Sequence, residues 1–323
     1  MARAPKLPQI DTEERFLAQV AWAYYVEGLT QEKVADKLGA TRLRVNKALS
    51  EAHQRGLVRI SFNTAYAACA ELEAALVARF GLRQAYVAPA PQNPDDVQKV
   101  TGAALGHLLS EVLADPAVKL FGMSWGGTLN IATRFVAAMS RPDLEVISVM
   151  GGLTQGSDLN SFEITTRLAD LLGAQHSYFT APLYAGSRES RDTIMQLDVF
   201  REVLEKLRGV DAMAMAAGDL STRSLLMRDG MPKDVAVEEL RALGGVGDVL
   251  GTVIDAEGQP IAHPINERVI GIGLEDLAGI PNVILAAGGT YKLAVNRAIL
   301  RRGVVDTFVT DEATARALLA GPR

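Results

Sequence analysis

The stretch Gly122-Met-Ser124-Trp-Gly126 has the Gly-x-Ser-x-Gly spacing of a nucleophile elbow, which holds a serine on a tight turn between strand and helix. Acyl chemistry would further require an acid and then a base histidine downstream, and Asp255 and His263 stand in that order. The same residues offer a different chemistry. Gly126, Gly127 and Thr128 continue the loop, and glycine lets backbone N–H groups approach an anion at the start of a helix. Further glycine loops occur at Gly151-Gly152, at Gly218-Asp219 and at Gly288-Gly289-Thr290, the last followed by Lys292. One such loop is an ordinary tight turn. Several at successive strand ends point to an anion pocket, with Ser124 and Thr128 adding hydroxyls and Lys292 neutralising charge. No Gly-Lys-Ser/Thr ending is present, so this is not a Walker loop, and the dinucleotide fingerprint is absent too. The cradle also explains Gly127-Thr128, which a serine hydrolase does not need, and Ser124 comes with fewer strands before it than hydrolases usually build.

A second constellation lies near the N-terminus. Thr41, Arg42, Asn46 and Lys47 fall on the outer face of a helix whose inner stripe is Val45, Ala48, Leu49 and Ala52. Arginine can bridge guanine, asparagine can bridge adenine, and lysine holds phosphate. Arg44 and Arg59 are expected on the phosphate backbone. A helical hairpin with a solvated charged face is the plainer reading of the same pattern.

These residues need elements to hold them. Helical spacing runs from Thr12 to Val26 and stops at Gly28. Thr30 is placed to cap a helix over Gln31–Leu38, with Lys33 where a capping box would have Glu. Gly39 supplies the turn, and Thr41 caps a helix reaching about Arg55. Leu57 to Phe62 alternates like a strand, the wing of a small all-α helix-turn-helix domain. Residues 1–62 form that domain, and 63–83 read as a linker helix, apolar at Leu72, Ala75 and Leu76. Residues 84–323 form an α/β domain. There, strands near Gln84–Pro89, Val118–Gly122, Glu145–Met150, His176–Thr180, Ala212–Ala216, Val269–Ile272, Val283–Ala286 and Thr307–Val309 alternate with helices. The helices include Val97–Leu113, Gly126–Ala138, Phe162–Leu172, Tyr291–Arg302 and Glu312–Leu319. Apolar strands alternating with helices predict a doubly wound, mostly parallel sheet with its ligand at the carboxyl ends of the strands.

Composition narrows the classes. The net charge is −5 over 323 residues, yet residues 1–62 hold ten basic against seven acidic side chains, a surplus of three that leaves −8 on the remainder. A basic module on an acidic body suits DNA at one end only. Cys69 is the single cysteine and fits a reducing compartment, and His53, His107, His176 and His263 lie too far apart for zinc spacing. No cofactor or metal is expected. No apolar run reaches a membrane span and residues 1–10 lack a signal-peptide core, so the expected location is cytoplasmic, without membrane contact.

The segment from Leu29 to Leu49 resembles the DNA-binding helix pair of bacterial sugar-catabolism regulators of the SorC family. The similarity continues through Glu145 to Gly152, Gly218-Asp219-Leu220, Gly247-Asp248-Val-Leu-Gly251 with Asp255, Ala286 to Gly303, and Thr310-Asp-Glu. It covers nearly the whole chain. The resemblance implies an effector domain with the fold of sugar-phosphate isomerases and aminosugar-phosphate deaminases. It implies that Ser124, Gly126, Gly127 and Thr128 cradle an effector phosphate, with Lys292 as charge partner. Asp219, with Asp248 or Asp255, would meet hydroxyls, although Asp255 before Ala-Glu-Gly also reads as a turn residue. It implies a homo-oligomer, dimer or tetramer, on a roughly palindromic operator, and repression relieved by a phosphorylated sugar or polyol. An active isomerase or deaminase is the rival. Such deaminases carry a histidine in the loop that here reads Gly218-Asp219-Leu220-Ser221-Thr222, without one.

Overall fold

Apolar residues three and four apart draw the N-terminal helices together. The computed structural model describes residues 12–58, 65–153 and 159–321, and the chain divides into two units between Asn63 and Thr64. In the first, α1 (Thr12–Ala21) runs into one π-helical turn, Trp22–Val26, before α2 (Gln31–Leu38) and α3 (Arg42–Gln54). Leu17, Val20, Val34, Val45, Leu49 and Ala52 close their shared core. The Thr30 hydroxyl accepts from the Lys33 amide at 3.4 Å and that of Thr41 from the Arg44 amide at 3.2 Å, as N-caps do. Gly39 ends α2 at φ 60°, a left-handed geometry that glycine adopts without strain. The wing expected over Leu57–Phe62 falls from Arg59 onward outside the described residues.

In the second unit a seven-stranded sheet, all parallel, is ordered β1-β10-β9-β5-β2-β3-β4. Its strands are β1 (Gln84–Ala88), β2 (Leu120–Met123), β3 (Glu145–Ser148), β4 (Gln175–Ser177), β5 (Ala212–Met215), β9 (Val283–Ala286) and β10 (Thr307–Asp311). Side chains alternate across it as the period of two requires. Met213, Met215, Val283 and Leu285 face one core, and Ala212, Ala214, Ile284 and Ala286 face the other. Burial on both faces is why these strands are apolar throughout. On the second face pack α5 (Val97–Ala114), α6 (Gly127–Ala132) and α7 (Ser161–Leu172); on the first, α4 (Ala65–Phe80) and the helices Leu293–Arg302 and Glu312–Ala320. A small antiparallel sheet, β6-β7-β8, joins Ala217–Asp219, Gly247–Val249 and Thr252–Ile254. Its β7–β8 turn puts Leu250 at φ 54°, the only non-glycine residue with positive φ among the described residues.

Four expectations change. The helix over residues 65–80 is no free linker. Cys69, Leu72 and Leu76 are buried in the core of the second unit, and Arg79 donates to the carbonyls of Leu319 and Gly321 at 2.6 Å each. The helix expected over Gly126–Ala138 stops at Ala132. There the Thr133 hydroxyl turns back onto Asn130 O at 2.8 Å, and the amides of Arg134 and Phe135 bond three residues back, tightening the last turn. Val269–Ile272 forms only isolated bridges, Val269 to Tyr184 and Gly271 to Met150. The strand expected over His176–Thr180 is Gln175–Ser177.

α6 sits close because α5 is glycine-notched. A Cβ at Gly106 would lie 2.6 Å from Ala132 O and 2.5 Å from Phe135 Cβ. Gly106→Ala is therefore expected to destabilise by about 1–3 kcal/mol through overpacking, read as a lower urea midpoint. An unchanged midpoint would mean that α6 can slide away freely.

Candidate functional site

The chain leaves β2 towards β3 and β4 on one side of the sheet, then returns to β5 on the other. The strand order thus reverses between β2 and β5, and their carboxyl ends open a crevice between them. A cavity of about 710 Å³ lies there, within the range of small-molecule sites. Trp125, Gly126, Gly127 and Thr128 enter it from β2, and Ala216 and Gly218 from β5. Gly126 has φ 121°, so the turn into α6 depends on glycine. Helix geometry leaves the amides of Gly127 and Thr128 without intrahelical acceptors.

The opposite wall carries charge. Asp248, on β7, stands in register with Gly218 on β6, where any Cβ would collide with its carboxylate. Lys292 follows β9 and lines the same cavity, almost wholly buried. Asp219, on β6, is buried and does not line the cavity, and its Oδ1 lacks a hydrogen-bond partner. Burial pushes the Asp248 carboxyl up to about 7; the Gly251 amide and Lys292 pull it down, and Asp219 pushes it up further. Burial also lowers Lys292, while Asp219 and Asp248 oppose that shift. The positive charge of Lys292 is thus already faced by two carboxylates.

Of the residues singled out in the sequence, Gly126, Gly127, Thr128, Gly218, Asp248, Gly289 and Lys292 line this one cavity. Others do not. Gly122 is close-packed inside β2, and a Cβ there would sit 2.7 Å from Val149 Cγ1. Gly151 and Gly152 are likewise packed, against Pro182 and against Asn160 and Phe162, and Gly288 against Thr101. These glycines serve packing. The Gly289 amide is occupied by Asp311 Oδ1 at 2.8 Å and Thr314 Oγ1 at 2.9 Å. Asp255 accepts from the amides of Glu257 at 3.0 Å and Gln259 at 2.8 Å, so it is the turn residue and not a cavity residue.

The hydrolase alternative fails on geometry. Ser124 is buried outside the cavity lining, and its Oγ has no hydrogen-bond partner, hence no base. His263 Nδ1 accepts from the Ile265 amide at 3.1 Å, and its Nε2 faces Glu239 at 3.6 Å. Among the cavity residues, the cations Arg223 and Arg228 carried no sequence signal. They occupy no recognisable motif, and only the fold brings the loop after β6 over the cavity.

In the N-terminal unit, Thr41, Arg42, Asn46 and Lys47 are exposed along the first turns of α3, opposite the buried Val45, Ala48 and Leu49. Arg44 is different. Its guanidinium lies over the Phe16 ring at 4.4 Å, which ties it to α1. Arg59 lies outside the described residues.

A helix-turn-helix unit joined in one chain to an α/β unit with a cavity at its switch point defines a ligand-responsive transcriptional regulator. Residues 64–320 match the family described as "Putative sugar-binding domain". The transcriptional regulator LsrR of Escherichia coli strain K12 is 30% identical over 311 residues, covering 95% of this chain and 95% of its own. The erythritol catabolism regulatory protein EryD of Brucella abortus is 27% identical, covering 97% and 98%. Among solved structures, a DeoR family transcriptional regulator from Listeria monocytogenes has a TM-score of 0.72 at 27% identity, covering 78% of this chain and 99% of its own. The full-length sorbitol operon regulator SorC from Klebsiella pneumoniae has a TM-score of 0.71 at 23% identity, covering 96% and 100%. The chain belongs to the family of transcriptional regulators that carry this sugar-binding domain. It is a transcriptional regulator, as are these relatives, of whose own length 95% and 98% are covered. No helix among the described residues is long and apolar enough to cross a membrane.

Proposed function

We propose that the chain represses a carbohydrate or polyol catabolic operon in the cytoplasm and is released from its operator by a phosphorylated sugar or polyol. The observation that carries this reading is the cavity itself. One wall offers backbone amides at Gly127 and Thr128, and the other the buried Asp248 and Lys292, suited to hydroxyls. The name of the relative EryD, from erythritol catabolism, makes four-carbon polyol phosphates the first compounds to try. A thermal-shift screen of sugar phosphates and polyol phosphates against their unphosphorylated parents tests it, because a ligand of the native state raises apparent stability by mass action. A shift with one phosphorylated compound and none with its parent supports the reading; equal shifts with both remove the phosphate from it.

On the DNA side, Thr41, Arg42, Asn46 and Lys47 are proposed to reach the major groove, and Arg44 and Arg59 the phosphate backbone. A homo-oligomer, dimer or tetramer, would present paired modules to a roughly palindromic operator. The effector would bind the operator-free arrangement of subunits more tightly, which is the condition for any shift between them. Operator affinity is expected to fall steeply with salt, in proportion to the phosphates contacted. Arg42→Ala should cost about 1–3 kcal/mol at one operator position if it reads a base. Competition titrations with single-base operator variants check this, and an equal loss on every variant assigns Arg42 to the phosphates.

A further inference from the structure

The charges around the cavity are unevenly matched. Three cationic side chains line it: Arg223, Arg228 and Lys292. Lys292 is buried, and although neither Asp219 nor Asp248 lies within ion-pair distance, the fields of both act on its charge. Arg228 is paired with Asp229 at 2.7 Å. Arg223 has no carboxylate partner within ion-pair distance among the described residues. Its guanidinium carbon instead lies 5.1 Å from the centroid of the Tyr291 ring. The acids of the wall, Asp95, Asp248 and Asp311, form no ion pair with it. Asp311 is committed to the amides of Gly289 and Thr314 and to the Thr314 hydroxyl.

We propose that Arg223, held over the Tyr291 ring, is the counter-charge for the effector's phosphate, and that Lys292 serves the hydroxyl-bearing chain. The inference rests on the phosphorylated-effector reading above and revises which cation answers the phosphate. Its physical basis is threefold. A phosphate entering the cavity gains more from an accessible cation than from one buried in the field of two carboxylates. A guanidinium offers phosphate two parallel N–H donors, which a lysine ammonium cannot. A cation–π contact with an aromatic ring restrains that fork before the ligand arrives, so less freedom is lost on binding. The loop itself is fixed by the Arg223 amide, which donates to Ser221 Oγ at 3.3 Å, and by the Ser224 amide, which donates to Ser221 O at 3.0 Å. Tyr291 and Lys292 are neighbours in the chain, and the Lys292 ammonium lies 5.8 Å from the same ring. The phosphate-answering and hydroxyl-answering ends thus meet on one aromatic platform.

The test uses the full-length protein with inorganic phosphate as the probe, titrated at constant ionic strength against chloride and read by thermal shift and calorimetry. Arg223→Gln and Arg228→Gln each remove one exposed cation from the rim, so long-range charge changes equally in both. Wild type and Arg228→Gln are expected to bind phosphate alike, and Arg223→Gln about tenfold more weakly. Arg223→Lys should recover only part of that loss. Wild-type affinity in Arg223→Gln, or an equal loss in Arg228→Gln, overturns the assignment and leaves the phosphate-sensor reading standing. A wild-type protein indifferent to phosphate and to every phosphorylated compound in the screen overturns that reading and this assignment with it.

Discussion

Lys292→Met is expected to destabilise the sensor unit by about 3 kcal/mol at pH 8 and far less at pH 5.5, while abolishing any effector response. Methionine fills nearly the same volume, so the loss is electrostatic. Without the ammonium, Asp219 and Asp248 face each other in a buried site with no cation, and removing one partner of a buried ionic cluster typically costs about 3–5 kcal/mol. The pH dependence follows from Asp248, whose carboxyl is held up to about 7 even with Lys292 present. At pH 5.5 it takes up a proton and most of the repulsion disappears. Urea unfolding of the sensor unit at both pH values is the measurement. An equal loss at both would show that packing, not charge, sets the contribution of Lys292. Operator binding in the absence of effector should survive, because the helix-turn-helix has its own core.

Asp248→Asn should act with the opposite sign. The folded carboxyl titrates at about 7 and the unfolded one near 3.8. Between those values the folded state binds more protons than the unfolded state, so wild-type stability falls as pH rises through that window. Three pH units at roughly 1.4 kcal/mol each bound the loss at about 4 kcal/mol. Lys292, lowered by burial, contributes a slope of the other sign towards high pH, and the difference between the two proteins largely cancels it. Asparagine carries no charge to desolvate, and its carbonyl can still accept from the Gly251 amide. The variant is therefore expected to match wild type near pH 4, to exceed it by about 1–4 kcal/mol above pH 7, and to lose effector affinity. Parallel stability curves from pH 4 to 8 would contradict the buried-carboxylate account. A gain in stability with a loss of response is the usual relation where a site keeps strained groups for function.

Much of this was readable in the residues. The helices over Gln31–Leu38 and Arg42–Gln54 announce themselves by capping threonines, a stop glycine and an unbroken apolar stripe. The strand Val283–Ala286 is a short apolar run between turn signals, and burial on both faces leaves it nothing else to be. Val269–Ile272 has the same composition yet only bridges its neighbours, because its apolar side chains fill a core without joining a ladder. Composition records burial and does not record pairing. The glycines divide for a related reason. Gly126 and Gly218 open the cavity, whereas Gly122, Gly151 and Gly152 let side chains and backbone pack tightly, and both needs look alike in one sequence. Arg223 could not be picked out from spacing. Its significance lies in which carboxylates are not near it, and only the assembled fold contains that information.

The turn between β7 and β8 has a mechanical consequence. Two-residue hairpin turns of this kind favour Asn-Gly or Asp-Gly, and here Leu250-Gly251 stands instead. A leucine in left-handed backbone costs roughly 1–2 kcal/mol locally. Leu250 recovers that by burying its side chain among the apolar residues beneath the small sheet. The hairpin is thus closed from below, by the core, and not by its own turn preference. The Gly251 amide that holds Asp248 belongs to this turn. The core under Leu250 therefore acts as a lever on the pocket: slack introduced there reaches the carboxylate as a loosened hydrogen bond, with no residue of the cavity wall altered.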